Sequence, residues 1–161
     1  MLLSFQIPFN LLAPVVCWAN DKCKDFDQNG FSRQFGVLQR KDLKPPKEVW
    51  EIKNIIVDGC KLQDAEQEPN FKDYCGYITE GGAIHKHTDT NKGKKIHTRF
   101  NVMVSKPEQG GEPVQEDKVI EVEEGSVWRC NAGVVAHWCN TVVGYKPRIV
   151  LSYGFLLNLN E

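Results

Sequence analysis

Much that would give this 161-residue chain an easy reading is missing from it. Its six cysteines (Cys17, Cys23, Cys60, Cys75, Cys130, Cys139) form no CxxC pair and no zinc-finger spacing, which excludes a finger-type zinc module. A chain this long does not need disulfides to fold, so reduced thiols are the expected state. Excess charge is missing too: 20 Lys+Arg against 21 Asp+Glu leave a formal net charge of -1, and no global field draws the chain to DNA or to a membrane surface. The longest basic run, "NKGKK" (91–95), reads as a solvated loop, so nucleic acid is disfavoured as a partner. The apolar opening "MLLSFQIPFNLLAPVVCWAN" has no basic flank, and Gln6, Pro8, Asn10 and Pro14 interrupt it. Neither a secretory leader nor a membrane span fits, and the stretch is expected to be a core-facing opening strand of a cytoplasmic protein. No internal repeat or low-complexity segment is present.

What remains is ordinary globular composition, 41% hydrophobic and 25% charged, enough for one domain with a real core. "KPPKEVWEIKNIIVDGC" (44–60) predicts a helix: two prolines precede it, Val49, Ile52, Ile55 and Ile56 recur at helical spacing, and Gly59 ends it. "AEQEPNFKDY" (65–74) is expected to add a further turn. From Gly76 the pattern changes to short β-rich runs between Gly, Pro and Asn breaks: "GYIT", "AIHKHTD", "HTRFNVMVS", "KVIEVE", "SVWRCN", "VVAHWCN" and "RIVLSYGFLL". About seven strands so spaced indicate a sandwich or double-sheet jelly roll. The expected architecture is a single domain, 1–161, in which residues 1–75 form a small helical support and 76–158 a mainly β core.

Three of the four histidines fall in "IHKHTDTNKGKKIHTRFNV" (84–102): His85, His87 and His97. His85, His87 and Asp89 alternate, so a strand would point all three to one face. The fourth, His137, lies in the apolar run "VVAHWCN", 48 residues after Asp89, where a buried imidazole needs a partner. Two imidazoles and one carboxylate from separate strands make a facial metal triad that leaves coordination positions open. Open positions imply a cosubstrate and hence an anion anchor. Arg148 follows His137 by eleven residues, and a turn would return it beside the histidine strand, where a buried guanidinium grips a carboxylate bidentately. An edge-strand arginine in an ordinary surface pair is the alternative.

The order His87-x-Asp89, His137, Arg148 resembles the signature of the 2-oxoglutarate- and Fe(II)-dependent oxygenases, whose fold is a double-stranded β-helix. "YITEGGAIHKHTD", with Tyr77 ten residues before His87, "TRFN" (98–101), "EEGSVWRCNAGVVAHWCN" (123–140) and "RIVLSYGF" are similar to stretches of its aspartyl/asparaginyl β-hydroxylase and proline hydroxylase branch. The resemblance covers roughly residues 76–156. It implies His87, Asp89 and His137 as Fe(II) ligands, Arg148 as anchor for the far carboxylate of 2-oxoglutarate, and Ser152 as a helper. It also implies Arg99 and Asn101 reaching cosubstrate or substrate carboxylate, and Tyr77 lining the same pocket. Asn101 stands where that branch often has histidine, and Met103 where it often has tyrosine. His85 and Trp138 are expected beside the ligands, as hydrogen-bond donor, substrate contact or apolar wall.

The implied reaction consumes O2 and 2-oxoglutarate, releases succinate and CO2, and hydroxylates an unactivated C–H of an amino-acid side chain, protein-bound or free, with proline, aspartate and asparagine as candidates. Two other readings stay open. A cupin would use His85 and His87 together with a nearby glutamate, yet residues 90–92 are Thr90, Asn91 and Lys92. A non-catalytic metal- or ligand-binding β-sandwich is the third.

Overall fold

The computed structural model describes residues 1–158. Twelve strands and two helices follow one another in the order β1 (Leu2–Gln6), α1 (Phe9–Lys22), β2 (Asp27–Gln28), β3 (Arg33–Val37), α2 (Glu48–Cys60), β4 (Glu66–Gln67), β5 (Asp73–Ile78), β6 (Ile84–His87), β7 (Ile96–Ser105), β8 (Pro113–Gln115), β9 (Lys118–Val119), β10 (Ser126–Cys130), β11 (His137–Cys139) and β12 (Arg148–Leu157). The chain is mainly β. Eight strands form an antiparallel sheet ordered β1-β10-β7-β12-β5-β3-β2, with β4 pairing the far end of β12. Four form a second sheet, β6-β11-β8-β9. This is a jelly roll, and the cavity described below lies between its two sheets.

The centre of the large sheet is legible in its alternation. All ten residues of β7 and all ten of β12 are buried, because both faces of these strands are covered. Phe100, Val102, Val104, Ile149, Leu151, Tyr153 and Phe155 point one way, into a core shared with Leu12, Val15, Val49, Ile52 and Ile56 of the two helices. Arg99, Asn101, Arg148 and Val150 point the other way, into the inter-sheet cavity. A period of two thus sorts each strand into a helix-facing apolar set and a cavity-facing set rich in polar groups. Two buried donors fasten the helical layer: Tyr153 Oη donates to the Val49 carbonyl (2.6 Å) and Trp18 Nε1 to the Leu43 carbonyl (2.7 Å). Buried Asp73 accepts from Lys53 Nζ at 2.7 Å and from Gln39 Nε2 at 2.7 Å, tying α2 to β5.

The predicted helix at 44–60 forms over Glu48–Cys60, with Val49, Ile52 and Ile56 inward. Its stop is Lys61 in the left-handed conformation (φ 56°) and not Gly59, which instead lets α2 approach Phe5: a Cβ there would lie 3.0 Å from that ring. The opening stretch departs from the expected strand. Only Leu2–Gln6 are extended, and Phe9–Lys22 form a helix whose buried residues Leu12, Val15, Trp18 and Ala19 keep helical spacing. Pro14 sits inside it, costing one backbone hydrogen bond that the buried stripe offsets. The 65–74 segment is the short strand β4 and a turn leading into β5, not helix. "KVIEVE" extends only at Lys118–Val119, while Ile120 and Val122 pack beside Met103, Trp128 and Val150.

The N-terminal third therefore does more than lean on the barrel. β1, β2 and β3 are members of the large sheet, and β5 runs through the 75/76 junction. Ile52 is fully buried where α2 meets the sheet. Truncation there leaves a cavity, so Ile52→Ala lowers unfolding free energy by about 2–5 kcal/mol, read as a reduced midpoint in chemical denaturation.

Candidate metal centre and cavity

His87 and His137 are directly paired across β6 and β11, with ring centroids 4.3 Å apart. In each, Nδ1 faces a backbone carbonyl two residues back, that of His85 at 2.7 Å and that of Val135 at 2.9 Å. A carbonyl only accepts, so Nδ1 carries the hydrogen and Nε2 is the nitrogen left for a ligand. Asp89, just past β6, lies with Oδ1 3.3 Å from His87 Nε2. One ligand atom from each of His87, Asp89 and His137 lies within 4.8 Å of the other two. Two neutral nitrogens and one carboxylate oxygen on one side of a cavity fit a divalent first-row ion and leave its other positions open.

Local structure brings the segments together. The Asp89 amide donates to the Ala132 carbonyl (2.8 Å), and the Asn91 side chain bridges the Gly133 carbonyl and the His97 amide (2.9 and 3.0 Å). Gly133 is required by this contact: a Cβ would sit 1.6 Å from Asn91 Oδ1. Behind Asp89 stands His97, 2% exposed, with Nδ1 3.5 Å from Asp89 Oδ2. Its Nε2 is buried without a hydrogen-bond partner among the described residues. The sequence reading gave His97 no role. The signal was its position at the start of β7, two residues before Arg99 on the same face.

Electrostatics in this cluster favour the metal-ready carboxylate. Burial acts to raise the Asp89 pKa, but His87, His97 and His137 together outweigh it and hold the carboxyl below its ordinary value. His87 is raised, first by its hydrogen bond to Asp89 against burial, and Arg33 pushes it slightly back down. His137 is lowered, chiefly by burial, and so is His97.

These residues open onto a cavity of about 440 Å³ between the sheets. His85, Trp138, Arg99, Asn101 and Arg148 line it. Arg148, 4% exposed, donates from Nε to the Gly111 carbonyl at 2.6 Å, and its two terminal nitrogens make no hydrogen bond to a described residue. Gly111 has φ 70°, and a Cβ on it would lie 3.0 Å from the Arg148 Cδ. Arg99 is different: its guanidinium is committed to Glu68 (2.9 Å), to the Lys72 carbonyl (2.6 Å) and to the face of the Tyr74 ring (4.8 Å). Glu68, 1% exposed, also accepts from the amides of Asn70, Phe71 and Lys72. Arg99 therefore forms the back wall, with each of its terminal nitrogens already engaged by the protein.

Two expected residues stand elsewhere. Tyr77 is turned to the opposite face of β5, in the helix-facing core, where its hydroxyl donates to Asn20 Oδ1 at 2.8 Å. One step of strand register decides this: Tyr74, Gly76 and Ile78 line the cavity and Tyr77 does not. Ser152 shares the cavity-side face of β12 with Arg148 and Val150 but lies beyond the cavity lining, fully buried with an unpartnered hydroxyl. Phe35, Phe71, Tyr74 and Arg33 are also among the lining residues. Sequence reasoning missed them because they come from segments with no nameable motif.

No protein-family model matches the chain, and no curated protein matches it by sequence. Solved structures do resemble it. A Pseudomonas putida prolyl-4-hydroxylase superposes with TM-score 0.64 at 12% identity over 98% of this chain and 91% of that one. A prolyl hydroxylase from Trichoplax adhaerens, in complex with a hypoxia inducible factor peptide fragment, gives 0.69 at 10%, covering 99% and 84%. HygX from Streptomyces hygroscopicus, with nickel, 2-oxoglutarate and hygromycin B bound, gives 0.67 at 9%, covering 99% and 83%.

Two measurements follow from this geometry. Gly133→Ala, which forces Asn91 away, costs about 1–3 kcal/mol of stability by overpacking and weakens Ni(II) binding measured by calorimetry. In the unaltered protein Ni(II) affinity is highest at alkaline pH and starts to fall while the pH is still above the ordinary imidazole range, by about tenfold per pH unit once His87, whose pKa is raised, takes up its proton. At nearly full length, the likeness establishes the fold as the jelly roll that these hydroxylases and HygX share.

Proposed function

We propose that the protein is an Fe(II)- and 2-oxoglutarate-dependent oxygenase that hydroxylates an unactivated C–H of an amino-acid side chain. The observation that carries this reading is one cavity with two elements facing each other. On and just past the small sheet stand His87, Asp89 and His137 with convergent ligand atoms, and on the large sheet stands Arg148 with its two terminal nitrogens uncommitted. A keto-diacid fits between such elements, one end toward the ion and the far carboxylate on the guanidinium. The sequence resemblance and the jelly roll shared with 2-oxoglutarate-bound HygX support it.

In this reading His87, Asp89 and His137 hold Fe(II), and the Nδ1 hydrogen bonds to the His85 and Val135 carbonyls fix both imidazole planes. When bound, the ion and 2-oxoglutarate supply the oxidising power, with O2 consumed and succinate and CO2 released. The chain's own part is to orient and to shield. Arg148, steadied by the Gly111 carbonyl, sets the pose of the cosubstrate. Asn101 extends from the neighbouring strand into the same space. Trp128, Val150 and Ile78 keep its walls apolar, and Trp138 stands at the cavity with Lys86 Nζ 4.6 Å over its ring. His85 lines the cavity outside the cluster of three, which favours this register over a cupin built on His85 and His87.

No helix among the described residues is long and apolar enough to cross a membrane. All six cysteines stand as free thiols, which supports the cytoplasmic setting included in this reading.

Anaerobic addition of Fe(II) and 2-oxoglutarate gives a weak visible charge-transfer band, and the band is lost in Asp89→Ala. Arg148→Ala removes a charge-assisted pair and weakens 2-oxoglutarate binding by about 10–150-fold. A band that survives Asp89→Ala, or 2-oxoglutarate affinity indifferent to Arg148, rules the assignment out.

A further inference from the structure

The cavity holds a second uncommitted guanidinium. Arg33 lines it, and its side chain makes no hydrogen bond or ion pair to a described residue. Its place follows from strand register. Arg33 on β3 pairs with Ile78 on β5, and Ile78 pairs in turn with Arg148 on β12. All three lie in one row across three adjacent strands and all three line the cavity. Neighbouring strands are about 4.8 Å apart, so the two arginine backbones stand about 10 Å apart on the same face. Ile78 separates the two charges.

The surroundings of Arg33 are built, not loose. It begins the second strand of the β2–β3 hairpin, closed by the Asn29 amide donating to the Arg33 carbonyl at 2.9 Å. The hairpin tip is fastened to the turn after β5, where the Thr79 amide donates to the Ser32 carbonyl at 2.9 Å. Two residues on along the same face is Phe35, which meets Phe71 edge-on (6.0 Å, 78°) and Tyr74 likewise (6.1 Å, 75°). Asn29 also lines the cavity. One side of the space therefore offers a cation on an anchored backbone beside a wall of three aromatic rings.

Such a pair suits a molecule with a carboxylate at one end and a carbon body at the other. Arg99 does not meet that need, because its charge is paired with Glu68 and both of its terminal nitrogens are already engaged, by Glu68 and by the Lys72 carbonyl. Arg148 is taken by the cosubstrate in the reading on which this inference rests. A cavity of about 440 Å³ lies at the small end of ligand sites, sized for small molecules and not for a folded segment. We infer that Arg33 anchors the α-carboxylate of the primary substrate, which is a free amino acid whose side chain lies along Phe35 and is carried toward the His87–Asp89–His137 cluster.

The test uses the full chain with Zn(II) and 2-oxoglutarate present, so that Arg148 is occupied, and ligand-observed NMR. The probes are proline, leucine, lysine, aspartate and asparagine, each as free acid, as C-terminal amide, and within an acetylated, amidated tripeptide. At least one free acid binds, its amide and capped peptide bind at least about tenfold more weakly, and Arg33→Gln removes that preference while Arg33→Lys restores part of it. Arg33→Gln keeps the Fe(II)–2-oxoglutarate charge-transfer band, which separates this claim from the oxygenase assignment: a missing band in the unaltered protein defeats the latter and leaves the NMR result standing. The inference is overturned if no free acid binds, if amides or capped peptides bind as well as acids, if Arg33→Gln binds acids normally, or if Arg33→Gln loses 2-oxoglutarate.

Discussion

The pairing of β6 with β11 is the constraint from which the rest of the site follows. It sets His87 opposite His137, and the carbonyls of His85 and Val135 then fix which nitrogen of each ring is free. Asp89 completes the group only because its own amide is held by Ala132 and the following loop by Asn91 against Gly133. Remove that register and the ligand atoms of His87, Asp89 and His137 no longer converge. Gathering them sets burial against the charge on Asp89, and the surrounding imidazoles restore that charge.

The large sheet solves a different problem. It must present charge to the cavity while its other face packs against two helices. β7 and β12 do this by alternation, with Phe100 and Tyr153 on the helix side and Asn101 and Arg148 on the cavity side. Arg99 shows how a buried cation is tolerated there: a carboxylate, a backbone carbonyl and an aromatic face surround it. Arg148 and Arg33 lack carboxylate partners among the described residues, and that contrast separates a wall from a binding surface. A buried guanidinium left with free donors needs a partner, from water or from a bound anion.

How much of this was readable before coordinates depended on whether the pattern was local. The His-x-Asp spacing, the isolated His137 in an apolar run and the return of Arg148 are each marked in the sequence itself, so their convergence could be argued from spacing, although β6 ends at His87 and Asp89 lies just past it. The helix at Glu48–Cys60 announced itself through Val49, Ile52 and Ile56. Tyr77 went astray because a strand offers two faces and only register chooses between them. α1 was hidden by Pro14, read as an interruption although the buried stripe of Leu12, Val15, Trp18 and Ala19 continues through it. Arg33, Phe35, Glu68 and Tyr74 were illegible for another reason. Their contribution depends on β3 and β5 pairing across some forty residues, and nothing local in the sequence specifies such a partnership.

The central claim is that one ion sits between the two sheets and faces Arg148 across a bound keto-diacid. A crystal structure of the full chain grown without oxygen with Mn(II) and 2-oxoglutarate, with the ion located by anomalous scattering, tests it most directly. The account predicts a single ion about 2.0–2.2 Å from Nε2 of His87, Nε2 of His137 and a carboxylate oxygen of Asp89, with the far carboxylate of 2-oxoglutarate on Arg148. An ion held through His85, or 2-oxoglutarate lying away from Arg148, would contradict it.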